Sequence, residues 1–166
     1  PTLQTPTAAT MSAERRAAIA EVARRCDLRV VEDDVFGFLP ARRPPPLAAF
    51  APERTLYLTS ASKCLAPGLR VGVIQAPEAL ADDLRAAVAL TTWMPPPLML
   101  EIVLRWLEEG TAPRLAEAQR REAVARQALA RDVLGGAMAG ASPAGFLLWL
   151  PLPDHWRPEA FEAAAS

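Results

Sequence analysis

Apolar residues recur along this chain with two periods, one helical and one extended. Ser12-Ala-Glu-Arg opens a helix, with Ser12 as N-cap and Glu14 beside the positive end of the helix dipole. Ile19, Val22, Ala23 and Cys26 then return at helical spacing and predict a buried stripe. Asp27 ends the helix. Residues 28–32, Leu-Arg-Val-Val-Glu, are short and β-branched and predict a buried strand. Pro44-Pro-Pro46 marks an irregular loop. A second strand is predicted over residues 56–59 and a third over residues 71–74. Pro77 starts a helix to about Leu90, with Leu80, Leu84 and Val88 on one face. Strands alternating with helices predict an α/β fold with a mostly parallel sheet.

The pattern changes after Thr91-Thr-Trp-Met-Pro-Pro-Pro97. Residues 98–109 read as a helix stopped by Gly110. Residues 112–134 read as a long helix rich in Ala, Arg and Glu, closed by Gly135-Gly136. Residues 145–150, Gly-Phe-Leu-Leu-Trp-Leu, predict an apolar strand, and Pro158 starts another helix. The second half thus reads as a long connecting helix leading into the start of a separate α+β unit. The expected division is residues 1–110 as part of one large domain, and residues 111–166 as connecting helix and start of a small C-terminal domain.

Composition narrows the function classes. The 166 residues begin at Pro1 and stop at Ser166 inside a predicted helix, so a segment of a longer protein is expected. Net charge is -1, with arginines and acids mixed along helices, which gives no nucleic-acid footprint within these residues. No apolar run approaches the roughly 18 residues of a membrane span, and no signal peptide is evident. Cys26 and Cys64 lack metal-type spacing and suit free thiols in a reducing cytoplasm. His155 reads as a surface residue, and Trp93, Trp106, Trp149 and Trp156 as packing anchors.

One compositional feature points to chemistry. Of 18 Lys and Arg residues only Lys63 is lysine. Guanidinium cannot replace an amine that must lose its proton and attack a carbonyl, so a lone lysine in an Arg-rich chain is a candidate Schiff-base nucleophile. The alternative is an incidental surface charge. Ser60, Ser62 and Lys63 follow the second predicted strand, Arg70 precedes the third after Pro67-Gly68, and Glu32-Asp33-Asp34 end the first. Ends of strands are where α/β folds gather ligands. Hydroxyls and an Arg suit a phosphate, and a carboxylate set apart from them can hold a ring nitrogen protonated. Together these describe pyridoxal 5'-phosphate: an imine to Lys63, the phosphate on Ser60, Ser62 and Arg70, and the pyridinium on Asp33. Singly, each element has a plainer meaning, such as a solvated acidic turn or a Pro-Gly turn. Ser60-Ala-Ser-Lys63 also fits the Ser-x-x-Lys of β-lactamases, but their Lys-Thr-Gly element needs a second lysine.

Four stretches carry a family resemblance by their order and spacing: Gln4-Thr-Pro-Thr-Ala8, Arg15-Arg16, Val31-Glu-Asp-Asp34, and Thr59-Ser-Ala-Ser-Lys-Cys-Leu-Ala-Pro-Gly-Leu-Arg-Val-Gly72. They resemble class I/II aminotransferases of fold type I, closest to the aminotransferase-like domain of MocR-type regulators of the GntR family. The resemblance implies the large-domain half of the pyridoxal-phosphate transferase fold, with Phe146-Leu-Leu-Trp149 as first strand of the small domain. By it, Lys63 matches the internal-aldimine lysine, Ser60, Ser62 and Arg70 the phosphate ligands, and Asp33 the partner of the pyridine nitrogen. Two positions depart from the family. Thr5 stands where active transaminases have Asn, and Phe36 where they have Tyr, so both customary donors to the cofactor's 3'-oxygen are altered. Loss of those bonds should shift the imine pKa. The resemblance implies a homodimer, a small amino acid or amine as ligand, and DNA contact only through a domain outside these residues. Two functions follow: the effector-sensing domain of a transcriptional regulator, or a free-standing aminotransferase acting on an amino acid and a 2-oxo acid.

Overall fold

The computed structural model describes residues 2–139 and 142–165; Pro1 and Ser166, the outer limits of the two expected segments, lie outside them. Helix α1 (Ala13–Arg25) starts as its sequence requires: Ser12 is extended, and its Oγ accepts the Arg15 N–H at 3.3 Å. The buried face differs from the expected stripe. It is made of Arg16, Ala20 and Ala23, with Ile19 packed beside it, while Val22 and Cys26 are exposed. Small residues let α1 approach the short helix α2 (Leu47–Phe50) closely, and Arg16 turns inward to meet a carboxylate.

Three strands form one sheet in the order β1 (Val30–Asp33), β2 (Thr55–Ser60), β3 (Gly72–Gln75). The chain returns through α2 between β1 and β2, which pair in parallel with Asp33 opposite Leu58. β3 runs antiparallel to β2, with Ser60 opposite Gly72, so the sheet is mixed. The cause is the connection over residues 61–71. It holds one turn of helix and one 3-10 turn, too little for the dozen-residue crossover a parallel return needs.

The largest core cluster lies beneath that connection. Ala61, Leu65, Leu69 and Val71 pack against Val103 and Ala112, flanked by Met99, Ile102, Trp106 and Leu115 of helices α5 (Pro97–Glu108) and α6 (Thr111–Leu134), numbered after α3 (Ala61–Cys64) and α4 (Ala81–Thr91). A second cluster sets Leu3, Leu39 and Ala123 against Phe36 and Phe38. The sheet itself is largely open within these residues: Val31 is 66% exposed and all of β3 is exposed. Neither β1 nor β3 is therefore a buried strand here. Trp106 packs against the core as expected, but Trp93, Trp149 and Trp156 are exposed, at 72%, 41% and 37%, and belong to no core cluster among the described residues; Trp156 meets only the neighbouring rings, Phe161 edge-on at 5.7 Å among them.

Residues 145–150 do not form the expected strand. Among the described residues they make one bridge, Ala139 to Trp149. Gln127 of α6 takes two of their carbonyls instead, donating to Gly145 O at 2.7 Å and Leu147 O at 3.0 Å. Helix α7 (Pro158–Ala165) follows, as expected from Pro158. His155 is exposed. No helix among the described residues is long and apolar enough to cross a membrane.

Candidate functional site

Lys63 sits on one turn of helix whose apolar side is rooted in the core. Ala61 and Leu65 are buried, and Ala61 N–H donates to Val71 O at 2.9 Å, closing the loop. Ser62 and Lys63 therefore turn outward at the end of β2. Ser60, the last residue of β2, is extended at φ -151 and leads into α3; its hydroxyl makes no hydrogen bond among the described residues. Arg70 lies between buried Leu69 and Val71 and has a left-handed backbone, φ 53 and ψ 28, uncommon for a side-chain-bearing residue. Its guanidinium Nη1 comes back to Ser62 Oγ at 3.5 Å.

On the other side of the lysine is Phe36, its ring centroid 5.8 Å from Lys63 Nζ. A cation over an aromatic face at this distance is attracted by the ring's quadrupole. Phe36 in turn meets Phe146 edge-on at 6.1 Å. Phe36 also lines a cavity of about 290 Å³ with Thr2, Leu3, Gln4, Thr5, Asp33 and Val35. Asp33 accepts the Val35 N–H at 3.2 Å and has no side-chain partner among the described residues. The seven singled-out residues thus join through contacts: Arg70 with Ser62, Lys63 with Phe36, and Phe36 with Asp33 and Thr5 around one cavity. Ser60 is linked to them by the chain alone.

Cys64, next to the lysine, is not an activated thiol. Burial pushes it above the usual thiol range, against a weaker opposing effect of its backbone hydrogen bond.

The back of β1 holds residues to which the sequence assigned no individual role. Glu32 and Asp34 point away from Asp33, because side chains alternate along a strand. Arg16 and Glu32, both fully buried, pair at 3.6 Å. Glu32 also accepts the N–H groups of Leu47 and Ala48, each at 2.9 Å, so it fixes the start of α2. Arg16 Nε donates to Met11 O, Nη1 to Pro45 O and Nη2 to the Thr2 hydroxyl. Burial pushes Arg16 below its ordinary range; Glu32 and Asp34 oppose that. Asp34 is paired with Arg43 and accepts the Tyr57 hydroxyl at 2.7 Å. The consecutive acids are thus two structural anchors and one open carboxylate, not a solvated turn. The sign was available: period-two alternation puts Glu32 and Asp34 on one face and Asp33 on the other. Burial of Arg16 was not.

Chemically, the open side offers one primary amine, a hydroxyl beside a guanidinium, and a carboxylate without a cation. That donor set suits a phosphate-bearing aldehyde with a basic ring nitrogen, since amine, anion and ring cation each find a partner of the right sign.

The comparisons agree on the fold. The family described as "Aminotransferase class I and II" matches residues 2–165. An uncharacterized HTH-type transcriptional regulator of Bacillus subtilis is 29% identical over 166 residues, all of this chain and 36% of that protein. An uncharacterized aminotransferase of Saccharolobus solfataricus is 44% identical over 81 residues, 47% of this chain and 20% of its own length. Among solved structures, the alpha-aminoadipate aminotransferase of Thermus thermophilus, complexed with N-(5'-phosphopyridoxyl)-L-leucine, superposes with a TM-score of 0.78 and 31% identity over 96% of this chain and 43% of that one. The chain therefore spans less than half of each relative.

Proposed function

The chain belongs to the aminotransferase class I and II family, and on that premise we propose that it is the pyridoxal 5'-phosphate-binding part of the effector-sensing domain of a GntR/MocR-type transcriptional regulator. Residues 1–110 are then part of the cofactor-binding large domain, and residues 111–166 the connecting helix and start of the small domain. When bound, the cofactor supplies an electron sink for chemistry at the α-carbon of an amino acid. Lys63 would hold it covalently, and its amine, once released from that bond, would be the base that moves a proton at that carbon. Ser60, Ser62 and Arg70 bind its phosphate: a guanidinium and two hydroxyls match three anionic oxygens. Asp33 holds a proton on the ring nitrogen, and the cavity beside it leaves room for the ring edge.

The observation that carries the regulator reading is at Phe36 and Thr5. Phe36 contributes a ring under the Lys63 ammonium but no hydroxyl, and Thr5 is shorter than an asparagine. A site that holds the cofactor while lacking those donors favours retention over turnover. The match of the whole of this chain to 36% of a transcriptional regulator supports the same reading. DNA is then bound by a domain outside these residues, the ligand is a small amino acid or amine, the assembly is a homodimer, and the compartment is the cytoplasm, which suits free Cys26 and Cys64. A second reading, a free-standing aminotransferase, is supported by the 44% identity to an aminotransferase over 81 residues.

One experiment separates them. The protein loaded with pyridoxal phosphate is given a panel of amino acids, and its visible absorbance is followed. A band that persists, with ligand-dependent shifts, supports sensing. Its stoichiometric loss to the amine form of the cofactor supports transamination. Lys63→Ala should remove the lysine-bound band in either case.

A further inference from the structure

Asp33 is the last residue of β1 in the ladder, and the chain turns directly after it, over residues 35–38. A strand end of this kind frays unless something beyond the ladder holds it. What holds it lies on the opposite face. Asp34 N–H donates to Leu58 O at 2.9 Å, and Gly37 N–H donates to Asp34 O at 3.0 Å. The Asp34 carboxylate, with no exposed surface, is gripped on one oxygen by the Tyr57 hydroxyl and by Arg43. Arg43 Nη2 also reaches the Tyr57 oxygen at 3.4 Å. The other oxygen, Oδ1, is buried without a hydrogen-bond partner among the described residues. The charged groups here are Arg16, Glu32, Asp34 and Arg43, two cations and two anions around one neutral phenol.

Tyr57 belongs to β2, the strand that ends at Ser60 and delivers Lys63. Its hydroxyl therefore ties the tip of β1, which carries Asp33, to the strand that carries the lysine. We infer that Tyr57 is a positioning residue: through Asp34 it sets the distance between Asp33 and the Ser60–Lys63 turn, and so matches the ring-nitrogen partner to the anchored end of one ligand. This rests on the pyridoxal-phosphate reading of the site. Tyr57 touches no part of the ligand cavity, which Thr2, Leu3, Gln4, Thr5, Asp33, Val35 and Phe36 line.

The test is Tyr57→Phe in the intact protein, which removes one hydroxyl and keeps the ring. In cofactor-free protein, hydrogen exchange at the Asp34 and Gly37 amides should speed up about tenfold, the scale of one lost hydrogen bond. Pyridoxal phosphate should bind about fivefold to tenfold more weakly. The titration midpoint of the visible band should rise by about half a pH unit, because a ring nitrogen held less firmly in its protonated form withdraws less charge from the lysine-bound group. Arg43→Gln, which removes a second leg of the clip from a partly exposed position, stands in if the phenylalanine variant does not fold, with the same expectations. Wild-type affinity and midpoint in the variant, with or without a drop in melting temperature, overturn the positioning role. A wild-type band that survives Lys63→Ala overturns instead the reading of the site on which it rests.

Discussion

Glu32, Asp33 and Asp34 are three consecutive carboxylates, yet the two faces of β1 use them in different ways. On the back, Glu32 and Asp34 are buried, each against an arginine, and each takes further hydrogen bonds from α2 or from Tyr57. On the front, Asp33 is exposed, takes one backbone hydrogen bond, and meets no cation among the described residues. The same chemical group is an internal brace on one face and an unspent binding charge on the other. The difference teaches where to look for function in such a site: at the carboxylate whose electrostatic demand the fold leaves unmet.

Substitutions that treat the two faces alike should expose the contrast. The largest effect is expected for Glu32→Ala. It leaves the Arg16 guanidinium buried without its counter-ion and frees two N–H groups of α2, at a cost of about 3–5 kcal/mol. Urea unfolding of the cofactor-free protein measures it; a loss under about 1 kcal/mol would mean that water or neighbouring groups replace the pair. Gly37→Ala comes next. An added methyl there collides with the Asp34 carboxylate and the Arg43 guanidinium, so a loss of about 1–3 kcal/mol is expected by the same assay. Asp33→Ala inverts the pattern. Its effect on the stability of the cofactor-free protein should stay within about 0.5 kcal/mol, as for exposed positions generally. Its effect on pyridoxal-phosphate affinity should be large, about tenfold or more, for loss of a charge-assisted hydrogen bond. Equal losses of stability for Asp33→Ala and Glu32→Ala would erase the distinction between the faces.

Much of the front face was legible in the chain, and much of the back was not. Lys63 stood out because the rest of the chain uses arginine, and the serines and Arg70 beside it raised the expectation of a phosphate by residue type. Those signals are local, carried by a loop whose neighbours in sequence are neighbours in space. The Arg16–Glu32 pair joins residues 16 and 32, and Arg16 sits in a helix where an arginine is ordinarily solvated, so its burial follows only from how α1 meets α2. The direction of β3 was not legible for a related reason: strand composition says nothing about polarity, and the short connection over residues 61–71 decides it. Residues 145–150 have strand composition but only a one-residue bridge, because Gln127 takes the carbonyls that a neighbouring strand would need.

The smallest expected effect concerns protons on the back face. Tyr57 is held above its ordinary value, first by burial and then by the hydrogen bond to Asp34, with Arg43 opposing. The unfolded chain releases this proton near the ordinary tyrosine value of about 10, while the folded protein still keeps it. Above that pH the folded state binds more protons than the unfolded state, so stability falls as pH rises. The contribution is fully present below pH of about 10 and is lost through the window from there up to the raised folded value. Wild type should therefore lose stability along its alkaline limb more steeply than Tyr57→Phe, which has no proton to release at this position. The two curves should run parallel below pH of about 9 and converge above 10, read from unfolding midpoints across that range. Asp33→Ala, on the front face, should leave the limb unchanged. A limb equally steep in wild type and Tyr57→Phe would mean that the phenol feels the same environment folded and unfolded, and that the clip at the back of β1 is looser than its 2.7 Å hydrogen bond implies.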